Sequence, residues 1–166
     1  LPINTERGLL EQAEALLLRI YLHRPEYRQT IIDTLEEQDV LFSLSHHRFL
    51  WQRILDLQQA VEASRQTSDP LIGLLQDRGL EFPDEMAQVA HLFHLDEKKQ
   101  QDIVRTPLLI RAAVACLERV ACEKHRRYCL ERWQKSNPAN APDSREYYLQ
   151  EFYRIDQRIR ELDRLR

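Results

Sequence analysis

Histidine pairs are the residues of this sequence that come nearest to metal chemistry. His91 and His94 stand three positions apart in a helical pattern, and His46 and His47 are neighbours at the start of another. Imidazoles that converge with a carboxylate would form a zinc site. The sequence has no HExxH pattern and no cysteine placed to complete such a set, and the pairs stand beside apolar core positions. We therefore expect neither a metal site nor a cofactor in this chain.

Neighbouring carboxylates are the next candidates, because general acid–base catalysis commonly uses two of them. The pairs at 36–37, 84–85 and 96–97 all fall at expected helix ends, where the helix dipole and solvation account for them. No serine or cysteine has a recognisable base partner, and the three glycines do not form a phosphate loop. The sequence predicts no catalytic residues. A helical enzyme with a spatially assembled site would need a polar pocket with shifted ionisations, for which the sequence gives no support.

Aromatic and basic residues near the end of the chain form the strongest candidate site. Tyr148 and Phe152 follow a helical apolar seam, whereas Tyr147 and Tyr153 point elsewhere on the same helix. Exposed aromatic residues flanked by arginine are typical of protein-interface hot spots. We predict partner contacts at six positions: Trp133, Tyr147, Phe152, Tyr153, Arg154 and Arg158.

Two long helices joined by a polar turn at 136–142 must position these residues. In the second helix, apolar residues recur at steps of four, three, four and three, which is the spacing of a coiled-coil seam: Tyr148, Phe152, Ile155, Ile159 and Leu162. Asp143 with Glu146 three positions later predicts a capping box at its start. The sequence predicts a helical hairpin over 116–166, with a hinge near residues 117–124, where small side chains would allow bending.

Helical periodicity also fills the preceding part of the chain, and no strand pattern is present. Apolar residues make up 43% of the sequence, enough for a core. Predicted helices cover 5–23, 25–37, 46–64, 70–78, a segment from Pro83, a short turn within 96–105, and 106–135. Asp69-Pro70 predicts a helix start and Gly79 a helix stop. The predicted fold is all-α, with a multi-helix bundle over 1–115 followed by the long hairpin over 116–166. The apolar connection at 39–45 is expected to pack against the core.

Charge is unevenly distributed along the chain. The net charge is −3, but residues 116–166 hold 12 Lys and Arg against 9 Asp and Glu, a balance of +3, which leaves −6 for residues 1–115. A basic hairpin fits an acidic protein partner or nucleic acid. Because glutamates are interleaved with the basic run at 124–127, a solvated helix face is the favoured interpretation. A nucleic-acid-binding module remains an alternative, and it predicts an affinity that falls steeply with salt.

Cysteines, hydropathy and the first residue bear on the cellular setting. Cys116, Cys122 and Cys129 share one predicted helix at a spacing that cannot close a disulfide, so we expect reduced, buried thiols in a cytoplasmic protein. No apolar run approaches the roughly 20 residues of a membrane span, and we expect no membrane partner. The chain begins with Leu1 rather than Met, so we expect it to be part of a longer protein.

Two stretches resemble a known family. Residues 13–25 read AEALLLRIYLHRP, which resembles the opening of the C-terminal domain of bacterial DnaG-type DNA primase, and residues 49–57, FLWQRILDL, resemble the third helix of that domain. In architecture the resemblance covers the whole chain. It implies a helical bundle and a terminal hairpin that docks on the N-terminal domains of the replicative hexameric helicase, coupling primer synthesis to the fork.

The resemblance also implies what this chain lacks. In such a primase, a nucleotidyltransferase of the primosome, the zinc-binding domain and the magnesium-dependent catalytic domain lie upstream, so this fragment would not be an enzyme. In some primases the domain also contacts the single-stranded-DNA-binding protein, an implied second partner whose pocket we do not assign. The N-terminal domain of the replicative helicase has a related fold and is the rival. Its first helix typically has a glycine where this chain has Arg19, and the basic hairpin also favours the primase.

Overall fold

The computed structural model of the chain describes residues 3–64, 71–102, 106–136 and 142–164. In these ranges the structure is all-α, as predicted, and no strand occurs. The helices are α1 (Ile3–His23), α2 (Arg28–Glu37), α3 (Ser45–Ser64), α4 (Leu71–Gly79), α5 (Pro83–Val89), α6 (Glu97–Asp102), α7 (Thr106–Lys135) and α8 (Pro142–Arg164), with 3-10 turns at Pro25–Tyr27 and Ala90–Phe93.

Two predicted helices are divided differently in the structure. Pro25 was expected to begin the second helix, but it begins the 3-10 turn, and α2 starts at Arg28. The Arg28 guanidinium donates to the carbonyl oxygens of Tyr21 (2.7 Å) and Leu22 (3.2 Å), which belong to the last turn of α1. These bonds satisfy carbonyls that have no partner inside α1. The predicted fifth helix is likewise divided: the α-helix ends at Val89, and the second 3-10 turn follows it.

The core of the first part of the chain lies between α1 and α3, as their periodicity predicts. Leu17, Ile20 and Tyr21 of α1 and Leu50 and Ile54 of α3 have no exposed surface. The Trp51 ring meets the Tyr21 ring edge to face, with 5.0 Å between their centroids. An arrangement of this kind adds to the free energy gained by burying the rings.

The connection between α2 and α3 is held by a helix-ending motif at one end. The amides of Asp39 and Val40 donate to the carbonyls of Glu36 and Leu35, a Schellman motif in which Asp39 takes a φ of 52°. Val40 and Phe42 are buried, as expected of this apolar connection, but Leu41 is 81% exposed. The prediction that the whole connection packs against the core is therefore wrong for Leu41, because successive extended residues point to opposite sides.

A fully buried carboxylate fixes the other end of this connection. Glu14 of α1 accepts hydrogen bonds from the amides of Ser43 (2.6 Å) and Leu44 (3.2 Å), which precede α3, and from the ring of His47 (Nδ1–Oε1, 2.9 Å). Each donor compensates part of the desolvation cost of the buried charge. Glu14 therefore joins α1 to the start of α3.

Gly79 is the last residue of α4, as predicted, but its backbone is not left-handed; the glycine is needed for packing. No glycine in the described residues has a positive φ. A Cβ built on Gly79 would lie 2.6 Å from Cγ of Met86, so the missing side chain makes room for Met86. The predicted helix start at Asp69-Pro70 and most of the polar turn at 136–142 lie outside the described residues.

The chain forms two compact units, Leu1–Val114 and Ala115–Arg166. The boundary falls one residue from the position proposed from sequence and lies inside α7, which is continuous from Thr106 to Lys135. The predicted hinge at 117–124 is therefore not marked by a break in the helix, and bending there stays a prediction. None of the described helices is both long enough and apolar enough to span a membrane.

Candidate partner-binding surface

The apolar seam of the second unit is confirmed. Ile155, Ile159 and Leu162 of α8 are at most 3% exposed, and Tyr148 and Phe152 pack partly buried against the same cluster. Cys129 of α7 lies opposite with no exposed surface, and Cys122 packs beside it. The core of the hairpin is thus a single line of side chains between two helices.

Arginine–carboxylate pairs lie beside this apolar seam, from the end nearer residue 115 to its middle. Arg158 donates to both carboxylate oxygens of Glu118, at 2.7 and 2.9 Å, and this forked contact joins α8 to α7. Arg119 likewise reaches across to Asp163 (Nε–Oδ1, 2.6 Å), and Arg126 to Asp156. The hydrogen bond to Glu118 raises the pKa of Arg158, and the one to Asp163 raises the pKa of Arg119.

An aromatic surface occupies the other end of the hairpin, close to the turn; we define it as Tyr128, Arg132, Tyr147 and Tyr148. The Tyr148 ring lies between the other two, 5.4 Å from the Tyr147 centroid and 6.2 Å from the Tyr128 centroid. The Arg132 guanidinium lies 5.9 Å from the Tyr128 ring and 5.8 Å from the Tyr148 ring, a cation–π arrangement that links the two helices. A hydrogen bond with Tyr148 raises the pKa of Arg132.

Exposure separates Tyr128 and Tyr147 from the seam, to which Tyr148 also belongs. Tyr147 is 59% exposed and Tyr128 49% exposed, whereas the apolar seam residues nearer residue 115 are nearly inaccessible. Large aromatic rings that remain open to solvent beside a guanidinium are the usual anchors of protein interfaces. The arrangement can bind a protein surface by apolar contact while the arginine orients it.

The six predicted contact residues divide into three kinds. Tyr147, Tyr153 and Arg154 are exposed, although Arg154 also pairs with Glu151. Trp133 is half-buried beneath the Arg145 guanidinium, 4.6 Å from its ring. Their role in binding stays a prediction.

Phe152 and Arg158 have clear internal roles. Phe152 packs on the Cys129 cluster, and Arg158 is held by Glu118 and Glu161. Contacts within the chain are therefore sufficient to explain both residues, because Phe152 fills the seam and Arg158 joins the two helices.

Tyr128 was not predicted as a contact residue. Its signal was visible in the sequence: Arg132 stands four positions later, one helical turn along α7, so the two side chains share a face. The approach of Tyr148 from α8 could not be foreseen without the register of the two helices.

No disulfide involves Cys116, Cys122 or Cys129, as predicted. The expected burial is confirmed for Cys129, whereas Cys116 and Cys122 are only half-buried. Burial, reinforced by the nearby Glu118 carboxylate, raises the pKa of Cys122, and burial with Glu151 raises that of Cys129. Both thiols are therefore poor nucleophiles in the folded chain.

The histidines considered for a metal site do not group as expected. His91 and His94 both have exposed surface. The part of the His91 ring that is shielded from water, together with the nearby Arg19, lowers the pKa of His91. Among the described residues, the histidine–carboxylate group with converging ligand atoms is instead Glu11, His46 and His47.

Comparison with known proteins gives the family context. No protein-family model matches the chain, and no solved structure matches it. It is 37% identical over 156 residues to the DNA primase of Synechocystis sp., covering 94% of this chain and 25% of that protein. It is 33% identical to the DNA primase of Synechococcus elongatus over 147 aligned positions, covering 78% of this chain and 21% of that protein.

The two matches confirm the resemblance stated from sequence and do not support the helicase as the parent protein. The chain spans about a quarter of the length of these relatives, which fits the C-terminal fragment of a primase. We conclude that the chain is related to the DNA primases and shares with them a segment about a quarter of their length.

Proposed function

We propose that this chain is the helicase-docking module of a DNA primase, whose hairpin binds the N-terminal domains of the replicative hexameric helicase. The catalytic and zinc-binding domains would belong to the rest of the longer protein. The observation that carries the proposal is the aromatic surface at the end of the hairpin, where Tyr147 is 59% exposed. Relatedness to DNA primases supplies the context.

The supporting argument is one of energetics. Leaving two tyrosine rings in water forgoes a burial free energy of order 1 to 2 kcal/mol for each ring. A partner that covers them would gain this free energy on binding, and the rings are rigid enough to lose little side-chain entropy. Arg132 and Arg154, beside the rings, would contribute orientation and association rate.

Binding of nucleic acid by the hairpin is the alternative function, and the contacts of the basic residues weigh against it. Arg119, Arg126 and Arg158 each donate to a carboxylate of the hairpin itself. Phosphate binding depends on cationic side chains that can replace counterions on the nucleic acid. These three arginines would have to break ion pairs first, which lowers the gain.

Calorimetric titration of this chain with the N-terminal domains of the cognate helicase tests the proposal. We expect Tyr147→Ala, and Tyr153→Ala at another exposed position of α8, to weaken binding by roughly tenfold or more, as for hot-spot residues. Leu80→Ala is the matched control, because Leu80 is 82% exposed in the first unit. We expect it to change the dissociation constant by less than about twofold.

Two further outcomes would contradict the proposal. One is absence of binding by the intact, folded chain. The other is equal loss of binding for Leu80→Ala and Tyr147→Ala. Repeating the titration at two salt concentrations, and with single-stranded DNA in place of the helicase, separates the alternatives, since phosphate contacts produce a steep salt dependence. A contact with the single-stranded-DNA-binding protein stays a prediction, and the same titration would test it.

A further inference from the structure

Three ligand atoms converge where α1 meets the start of α3. Glu11 lies one turn before Glu14 on α1, and its carboxylate is 3.2 Å from Nε2 of His46 and 3.6 Å from Nε2 of His47. The two imidazole rings are also close, with 4.1 Å between their centroids. All three ligand atoms lie within 4.8 Å of one another.

The hydrogen bond to Glu14 determines the direction of the His47 lone pair. Because Glu14 accepts two backbone amides besides the imidazole, it acts as a carboxylate, and Nδ1 of His47 carries the proton. In the neutral ring, which is the form that binds a metal, Nε2 then presents a lone pair toward Glu11. Within the described part of the chain this nitrogen has no hydrogen-bond partner, and the residue has no exposed surface.

The result is two electron-pair donors facing each other, His47 Nε2 and Glu11 Oε1, 3.6 Å apart. That separation is too long for a hydrogen bond. Buried polar atoms are normally satisfied, and an orphaned one in a native fold needs an explanation. A cation between the two groups would supply one.

The spacing fits a transition metal. Tetrahedral zinc with ligands at about 2.0 to 2.1 Å places those ligands about 3.3 Å from each other. Oε1 of Glu11 lies 3.3 Å from Nε2 of His46 and 3.6 Å from Nε2 of His47, close to that value. Glu14 on Nδ1 of His47 supplies the outer carboxylate that metal-bound histidines usually have. The Glu11 side chain is 41% exposed, so a fourth position can be open to water.

Charge also favours a cation at this place. Glu11 and Glu14 are both carboxylates, and the histidines are neutral when they act as ligands. A competing cation is Arg19, whose pKa is lowered by burial; of the two carboxylates that oppose this shift, Asp96 acts more strongly than Glu11. Glu11 is thus not its main partner.

We propose that Glu11, His46 and His47 bind one divalent transition-metal ion, Zn²⁺ in the first instance, with water as the fourth ligand. The ion would connect α1 to the start of α3 and strengthen the junction that Glu14 already makes. This inference differs from the sequence-based expectation of no metal site, which considered the histidine pairs but not Glu11.

Metal titration of the intact chain tests the site. We expect one Zn²⁺ per chain, and Co²⁺ in its place should give the visible absorption bands of a four-coordinate nitrogen–oxygen site. At about one hundred times the dissociation constant, Zn²⁺ should raise the unfolding temperature by roughly 5 to 10 °C. Glu11→Gln and His46→Gln should each weaken binding by at least about tenfold.

His94→Gln is the control, since His94 is exposed and outside the group. It should leave metal binding unchanged. Because Glu11 is partly exposed, Glu11→Gln should keep the fold, which circular dichroism would verify. The proposal is overturned if the chain binds no Zn²⁺, or if Glu11→Gln and His46→Gln bind it as tightly as the His94→Gln control.

Discussion

The two units of the chain, Leu1–Val114 and Ala115–Arg166, handle charge in opposite ways. The first unit buries a carboxylate completely, at Glu14, and surrounds it with three donors. The second unit keeps its charges at the sides of a narrow apolar seam, as pairs such as Arg158–Glu118 that remain partly open to water. Buried polar networks resist change because each member depends on the others, whereas pairs near solvent contribute little individually.

The first unit is therefore suited to rigidity, and the second to contact with a partner. A unit fixed by a buried network has one arrangement of its helices. A hairpin with one line of core residues has little buried surface for each residue, and it leaves aromatic rings such as Tyr147 exposed. Covering those rings with a partner surface would add the burial that the hairpin lacks.

Removal of the buried carboxylate of Glu14 should have the largest effect on stability. We expect Glu14→Ala to lower the free energy of unfolding by about 3 to 5 kcal/mol, because two amides and an imidazole lose their buried acceptor. Urea denaturation would measure it. Glu37→Ala, at an exposed position of α2, is the control and should stay within about 0.5 kcal/mol. A loss below about 1 kcal/mol for Glu14→Ala would show that water or a rearranged loop replaces the carboxylate.

Truncation of the seam should have a smaller effect. Ile159→Ala should cost about 2 to 3 kcal/mol, near the lower end for buried residues, because a single line of side chains collapses easily around the missing atoms. The same variant should speed alkylation of Cys129, which is buried in the same cluster and whose raised pKa protects it in the folded chain. Unchanged alkylation together with a full loss of stability would show that truncation at Ile159 does not make Cys129 accessible.

The Arg158–Glu118 pair between α7 and α8 should contribute still less to the free energy of unfolding. A double-mutant cycle with Arg158→Met and Glu118→Gln should give a coupling free energy of about 0.5 to 1 kcal/mol, since the contact is forked but partly exposed. We expect the coupling to decrease as sodium chloride is raised, because salt screens charges near solvent. The control is the Arg154–Glu151 pair within α8, for which a coupling below about 0.5 kcal/mol is expected. A salt-independent coupling would place the Arg158 pair in a drier environment.

The smallest expected effect concerns pH. The hydrogen bond from Arg154 lowers the pKa of Glu151, and the nearby His125 adds to this effect. A lowered carboxyl pKa in the folded state means that the stabilisation is present above the pKa of the unfolded chain and is lost as the pH falls through the folded value. Arg154→Gln should move the Glu151 pKa upward toward the ordinary range in an NMR titration. No movement would show that the ion pair is not maintained in solution.

Sequence reasoning recovers the parts of this molecule that depend on local periodicity. The seam at Tyr148, Phe152, Ile155 and Ile159 follows from spacing alone, and so do the main helices. The burial of Glu14 was not foreseen, because its neighbours in sequence do not reveal that the loop before α3 presents amides to it. The role of Gly79 was missed for the same reason, since Met86 approaches it from another helix.

The candidate surface was predicted only in part. Composition identified Tyr147 and Tyr153 as exposed aromatic residues, and both are exposed. Composition could not separate them from Arg158, which donates to Glu118, because the pairing depends on how α7 and α8 are aligned along their length. The register of α7 against α8 is a property of the packed hairpin and cannot be inferred from the sequence of either helix alone.

Because α7 is continuous across their boundary, the two units are difficult to separate. A 30-residue helix extends about 45 Å, and the boundary between the units falls within it. There is no linker to cut. A protease or a cloning boundary placed at Val114 would cut a helix in its middle and leave up to four carbonyls without partners on one side of the cut and up to four amides on the other. Isolated units should therefore fray at the cut, and each would need the whole of α7, or a designed cap, to be tested fairly.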